Sequence, residues 1–313
     1  MIWVTWRQQR LETLIGGAVL ALVAALLLWT GLDMAATYQH TGVAACVTRA
    51  APAGGCLDIE RAFINQFEPL SNIFAWFNFL PLVFGMLLAA PFVLELEQGT
   101  YRLAWTQSIT RTHWVAVKLG LIVTAAVVIA LTLTALTIWW YGPLDHVQGQ
   151  FRQNTFDLEG VAPLAYTVFA VALALATGTL LRRTIPALGL TLVGFLAVRG
   201  GLEALRPHYV SPVVRTLSAA SPNARSSDWV IDSGWRDGLG HMLQGADVYR
   251  LCGLATGTGV SPACLRQHGI VRFLVYQPAD RFWLFQGIEG AIYLGLAAGL
   301  LVVTVWWVRR RIA

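Results

Sequence analysis

Charged residues are scarce in this chain of 313 residues, because only 12% are charged and Lys118 is the only lysine. Soluble globular proteins carry roughly 25% charged residues, so the composition argues against a soluble fold. The apolar residues, with a mean hydropathy of +0.59, come in runs rather than in alternation. Basic residues flank these runs, which the positive-inside rule explains. The net charge of +5 therefore predicts contact with a lipid bilayer and no nucleic-acid partner.

Motifs for catalysis are also missing. The glycine-rich stretch at 253–259 lacks the GK[ST] ending with which a P-loop holds phosphates and magnesium. HExxH, GxSxG and CxxC do not occur, and the six histidines are scattered over loops and connectors. We therefore expect a chain that is not an enzyme and holds no metal or cofactor. An intramembrane enzyme built from distant residues is the weakest alternative.

Six apolar runs are each long enough to cross a membrane, since about 20 apolar residues span the hydrocarbon core as a helix. They predict an all-α integral membrane protein with a single transmembrane domain over residues 1–313. The predicted spans are residues 13–32, 71–94, 115–140, 161–181, 185–204 and 283–308. The head at 1–12 is predicted to be an amphipathic helix at the interface.

The basic residues orient these spans. The segments 1–12, 95–118, 182–184 and 309–313 hold Arg7, Arg10, Arg102, Arg111, Lys118, Arg182, Arg183, Arg309, Arg310 and Arg311. The two shorter loops of the other side hold only Arg49, Arg61 and Arg152. The bias predicts that both termini are cytoplasmic. Loops 33–70 and 141–160, and the long loop 205–281 before the sixth span, are then extracellular.

Two features of these outer loops carry structural expectations. Ile59, Phe63 and Phe67 recur every four residues, which predicts an amphipathic helix on the outer membrane surface. The tail of the long loop, residues 270–285, is apolar enough to dip back into the interface.

The four cysteines form two pairs that are close in sequence, Cys46 with Cys56 and Cys252 with Cys264. Both pairs lie in the loops assigned to the outside, where an oxidising environment favours disulfides. A metal site is the competing interpretation, but neither spacing is the short C-x₂₋₄-C of zinc sites. The sequence leaves open whether the bridges close locally or connect the two loops.

Polar residues inside the spans are candidates for a pathway or gate. Asn78 lies in the second span beside prolines, so it belongs either to a kinked packing helix or to a substrate path. Arg199 and Glu203 are four residues apart and can pair on one helix face, and Glu289 lies early in the sixth span. A charge at membrane depth costs about 3 kcal/mol or more. These three residues therefore either snorkel to the interface or form an outer gate.

The segment from Glu95 to Lys118 is the longest polar interval on the side assigned to the cytoplasm. A helix from Glu97 to His113 would place Tyr101, Trp105 and Ile109 in one stripe, so we expect an amphipathic helix at the membrane surface. Glu95 and Glu97 would stand at its N-terminal end, where the helix dipole favours carboxylates. Such a connector, the cytoplasmic segment 95–114, can transmit a push from a soluble partner to two spans.

The order of residues in this segment resembles the permease subunits of type-2 ABC exporters. The matching positions are Glu95, Glu97, Gly99, Thr100, Leu103, Thr106, Gln107, Ile109, Thr110, Arg111, Trp114 and Lys118. The layout of an amphipathic head, six spans and a long outer segment before the last span is also similar. This chain departs from the pattern at Gln107-Ser108, where many members have a proline-containing turn, and in its unusually long last outer loop.

The resemblance implies a permease subunit, without an ATPase site, in the plasma membrane of a bacterium. A separate ATPase subunit would bind ATP and magnesium, and a second copy or a similar permease would complete a dimer. The chain would export a drug, a lipid or a peptide. The residues implied to couple to the ATPase are Glu95, Glu97, Gly99, Thr100, Arg102, Trp105, Gln107 and Arg111.

Two alternatives remain at this stage. The coupling residues have a simpler explanation as the solvated and anchoring residues of an inner loop, although solvation alone does not require the stripe of Tyr101, Trp105 and Ile109. The whole chain has an alternative as a membrane sensor or scaffold that binds a ligand through its extracellular loops, without transport.

Overall fold

The computed structural model describes residues 10–48, 55–102, 110–217, 227–254 and 260–311. Most of the predicted amphipathic head therefore lies outside the described residues. The helices are α1 Arg10–His40, α2 Val43–Val47, α3 Cys56–Phe74, α4 Leu80–Gln98, α5 Arg111–Gln148, α6 Gln153–Phe156, α7 Ala162–Leu181, α8 Thr184–Leu205, α9 Gly245–Cys252, α10 Pro262–Gln267 and α11 Phe282–Arg311. The strands are β1 Val213–Leu217, β2 Trp229–Arg236, β3 Met242–Leu243 and β4 Val271–Gln277.

Six helical stretches in these ranges are long and apolar enough to cross a membrane, which confirms the predicted number and the mostly helical fold. They are Leu14–His40, Cys56–Gln98, Arg111–Gln148, Ala162–Leu181, Thr184–His208 and Ala279–Arg311. The second stretch consists of α3, a 3-10 turn at Ala75–Phe79 and α4, and so begins well before the predicted residue 71. The third extends to Gln148, past the predicted end at 140.

Helix α7 lies at the centre of the bundle. It is the most buried of the six stretches, and α4, α5, α8 and α11 all contact it. Small side chains permit this close packing. A Cβ atom added to Gly85 of α4 would lie 2.6 Å from the Cβ of Ala170.

The apolar stripe of α3 is buried inside the protein. Phe63 and Phe67 are 2% and 1% exposed and pack in one cluster with Val23 and Leu27 of α1 and with Trp140 of α5. The predicted helix is confirmed, but its apolar stripe packs against the rest of the chain and not against the membrane surface. The disulfide Cys46–Cys56 ties the start of α3 to α2.

The long segment after α8 contains an antiparallel sheet in the order β1–β4–β2–β3. β4 lies between β1 and β2, and its Phe273 and Leu274 are buried. The predicted dip of residues 270–285 into the interface is therefore wrong for β4, whose apolar residues pack within the sheet region. The disulfide Cys252–Cys264 joins α9 to α10. Both disulfides thus close locally, which decides the connectivity that the sequence left open.

Candidate functional site

Two groups of polar residues lie at opposite ends of the bundle. At one end of the bundle α4 ends and α5 begins. α4 ends at Gln98 because Gly99 adopts a left-handed conformation with φ of 72°. α5 begins at Arg111, and Thr110 caps it by accepting a hydrogen bond from the backbone N–H of His113 at 3.3 Å.

These boundaries correct the prediction of one helix from Glu97 to His113. Glu95 and Glu97 lie in the last turns of α4 and not at the N-terminal end of a surface helix. Of the predicted coupling residues, Trp105 and Gln107, together with Ile109 of the stripe, lie outside the described residues. Thr100, Arg102 and Arg111 are exposed, and Tyr101 is buried.

Glu95 faces the protein and not the solvent. Its carboxylate forms a salt bridge with Lys118 of α5, and the two side chains are only 13% and 6% exposed. The ammonium of Lys118 also lies 4.9 Å from the centre of the Trp114 ring. The only lysine of the chain thus joins the end of α4 to the first turns of α5.

Glu97 connects α4 to a different helix. Its Oε2 accepts hydrogen bonds from the backbone N–H of Thr184, at 2.9 Å, and from the Thr184 hydroxyl. Thr184 is the first residue of α8, so the carboxylate caps a helix N-terminus, where the helix dipole stabilises negative charge. In the preceding turn Arg182 donates to the backbone oxygen of Arg311 at 2.9 Å, which adds the end of α11.

This end of the bundle is therefore held together by side chains from α4. They link the α4–α5 connection to α5 through Lys118 and to α8 through Thr184. We call the two contacts of Glu95 and Glu97 the carboxylate clamp.

At the opposite end lies a buried network of four charged residues. Arg206 donates from Nε and Nη2 to the two carboxylate oxygens of Glu289, each at 2.8 Å, and from Nη2 to Asp157 at 2.5 Å. Arg199 completes the set with its Nη2 3.1 Å from the other oxygen of Asp157. The Tyr166 hydroxyl lies 2.6 Å from Glu289 and 2.8 Å from Asp157.

The network balances its charges, since two carboxylates face two guanidinium groups. Arg199, Arg206, Asp157 and Glu289 are 9%, 2%, 5% and 1% exposed. Burial of an unpaired charge is strongly unfavourable, so each ion depends on its partners. Through these contacts α8, α11, α7 and the loop before α7 are fixed to one another. We call these four residues the charge tetrad.

The tetrad revises the sequence interpretation of the polar residues in the spans. Arg199 pairs with Asp157, so the predicted pair of Arg199 with Glu203 is wrong; within the described ranges Glu203 makes no ion pair. Arg199 and Glu289 are buried and bonded to other residues of the chain. Sequence reasoning missed Asp157 and Arg206, because they lie in or beside loops and meet the other two only in the folded chain.

Asn78 lies in the 3-10 turn between α3 and α4, where its Oδ1 is buried and has no hydrogen-bond partner among the described residues. Next to this turn, a cavity of about 20 Å³ is lined by residues that include Phe77, Thr134 and Asp157. A cavity of this size holds about one water molecule. This cavity is too small to hold a drug, lipid or peptide.

A comparison with protein families adds an independent finding. A family model described as ABC-2 membrane transporter related matches residues 17–206, which is more than half of the chain. The match runs from α1 to Arg206 and includes the carboxylate clamp and three of the four tetrad residues. No curated protein and no solved structure matches the chain.

Proposed function

The chain belongs to the ABC-2 membrane transporter related family, and from this membership we propose that it is the permease subunit of an ATP-driven exporter. It is a multi-pass membrane protein and a transporter membrane subunit of the type-2 ABC class. The family generally implies a partner ATPase. The proposal adds that this partner is a separate chain that binds ATP and magnesium, that the permease pairs with a second copy or a similar chain, and that it lies in a bacterial plasma membrane.

The carboxylate clamp is the observation that carries the proposal. An ATPase that closes on binding nucleotide must move the spans through a rigid contact. Glu95 and Glu97 make such contacts from the end of α4 to α5 and α8. Arg102 and Arg111 are exposed on either side of the α4–α5 connection, where they can meet the partner.

The charge tetrad supplies the second half of the proposed mechanism. It holds α7, α8 and α11 together at the end where the bundle must open to release a substrate. Switching access requires two states whose relative stability changes when nucleotide binds. We therefore assign the tetrad to the closed state. Export, and a drug, lipid or peptide as the substrate class, are parts of the proposal.

The test is to examine whether a neighbouring gene encodes an ATPase with a P-loop, and to co-purify the chain with that ATPase. The wild-type chain is expected to retain the ATPase, and Arg111→Glu is expected to lose most of it. Arg215→Glu is the matched control, since Arg215 is an exposed arginine of β1 at the opposite end. Failure of the wild-type chain to retain the ATPase, or equal losses in both variants, contradicts the proposal.

A sensor or scaffold that binds a ligand without transport is the second candidate. The observation that favours it is the disulfide-bearing sheet region, which begins after residue 206, where the family match ends. A sensor would keep its ligand response when no ATPase is present, whereas an export permease would not transport. Transport measured with and without the ATPase therefore separates the two.

A further inference from the structure

A third polar site lies between α3 and the end of α5, at the same end of the bundle as the tetrad, and none of its lining residues belongs to the tetrad. It is a pocket of about 300 Å³ that opens to the surface. Its polar lining residues are Glu68, Ser71, Asn72, Gln148, Arg152 and Thr155. Pockets of this size bind small ligands or the head of a larger one.

The position of the pocket indicates the depth at which a ligand would lie. Trp76, four residues after Asn72, is 71% exposed, and Trp139 of α5 is 41% exposed. Exposed tryptophans of membrane helices lie at the level of the lipid headgroups. Asn72 is about one helical turn, roughly 6 Å, beyond Trp76 in the direction away from the bundle centre. By the same rise, Glu68 lies roughly 12 Å beyond Trp76 and Gln148 roughly 14 Å beyond Trp139, so the pocket extends from the headgroup level towards the aqueous side. The Tyr141 hydroxyl donates to the Ser71 backbone oxygen at 3.3 Å, which joins the two walls at this depth.

One wall of the pocket presents hydrogen-bond donors. The guanidinium of Arg152 is held by Asp145, with Nη2 to Oδ1 at 2.7 Å, by the Gly149 backbone oxygen at 2.9 Å, and by the Gln148 side-chain oxygen. Arginine has five N–H donors, so about two remain for a ligand. The amide N–H groups of Gln148 are further donors, because its oxygen already accepts from Arg152.

The other wall presents an acceptor. Glu68 is exposed, lines the pocket, and makes no hydrogen bond or ion pair within the described part of the chain. Because Asp145 neutralises Arg152, Glu68 leaves the lining with a negative balance. A purely anionic headgroup is therefore disfavoured. A zwitterion fits better, with its anionic oxygens on Arg152 and Gln148 and an N–H-bearing cation on Glu68.

We propose that this pocket binds the headgroup of an ethanolamine phospholipid from the surrounding leaflet. The phosphate accepts from Arg152 and Gln148, and the ammonium donates to Glu68. A choline headgroup has no N–H to donate to Glu68, and a glycerol headgroup has no cation. The site does not depend on the ATPase partner.

The experiment is native mass spectrometry of the purified full-length chain in detergent, titrated with phosphatidylethanolamine, phosphatidylcholine or phosphatidylglycerol of identical acyl chains. Phosphatidylethanolamine is expected to bind about tenfold more tightly than the other two, which corresponds to one hydrogen bond between charged groups. Glu68→Gln should remove this preference. The fold should be unaffected, because the side chain has no described protein partner. Glu60→Gln, on the same helix but outside the pocket lining, should keep the preference.

Three results would overturn the proposal. Phosphatidylglycerol could bind as tightly as phosphatidylethanolamine, or Glu68→Gln could leave the preference intact. Free phosphoethanolamine could also bind as tightly as the lipid, in which case the pocket takes a soluble compound rather than a membrane lipid.

Discussion

Removal of one guanidinium from the charge tetrad should destabilise the protein strongly. Arg206→Met leaves Asp157 and Glu289 opposed by Arg199 alone, so one buried negative charge is unpaired. Breaking a buried ion pair in this way costs about 3–5 kcal/mol. The assay is thermal unfolding of the purified chain in detergent at neutral pH, with Glu203→Gln as the control, because Glu203 makes no ion pair in the described ranges.

The double variant tests the charge balance itself. Arg206→Met with Glu289→Met removes one charge of each sign and leaves Arg199 paired with Asp157 at 3.1 Å. Replacing a buried ion pair by apolar residues is often close to neutral. The double variant should therefore recover more than half of the stability lost by Arg206→Met. If its loss equals the sum of the two single losses, the residues do not interact as a balanced set and the reasoning fails.

Three further predictions concern other parts of the molecule. Burial and the nearby Asp145 raise the pKa of Glu159, in the loop before α7, to about 10 from 4.5. A raised pKa in the folded state stabilises at low pH, and the benefit is lost as pH rises towards 10. The Tm of Glu159→Gln minus the Tm of wild type should therefore increase as the pH is raised from 5 to 9. A difference that stays constant over this range would contradict the raised pKa. Gly85→Leu should cost about 1–3 kcal/mol by overpacking against α7, measured as a lower Tm, whereas an unchanged Tm would refute the close approach. Replacement of Cys252 by serine should cost the sheet region about 2–4 kcal/mol, seen as faster proteolysis there, and equal cleavage rates would contradict a stabilising role.

The sequence predicted the spans well because hydropathy is a property of contiguous residues. Six apolar runs became six helical stretches, and the four-residue spacing of Phe63 and Phe67 marked a real helix. The same sequence could not show what that helix packs against, because its partners in α1 and α5 are distant in the chain. The prediction for β4 is wrong for a related reason, because an apolar run has the same composition whether it pairs in a sheet or enters a membrane interface.

The carboxylate clamp and the charge tetrad differ in how much of each could be predicted from the sequence. The motif order drew attention to Glu95 and Glu97, but their contacts with Lys118 and Thr184 follow from the fold. Because the left-handed turn at Gly99 ends α4 after Gln98, both carboxylates lie in α4. Two of the four tetrad residues, Glu289 and Arg199, could be predicted from the sequence because they are charged residues within apolar runs. Its other members come from chain positions that only folding brings together.

The central claim is that a partner ATPase drives this chain through the carboxylate clamp. The direct measurement is ATP hydrolysis by the ATPase alone, by its complex with the wild-type chain, and by complexes with Glu97→Ala or with the exposed neighbour control Gln98→Ala. We expect the wild-type chain to alter the hydrolysis rate. That effect should fall about tenfold in Glu97→Ala and persist in Gln98→Ala, while all three complexes assemble. If the wild-type chain neither binds the ATPase nor changes its rate, or if Glu97→Ala behaves as wild type, the claim is contradicted.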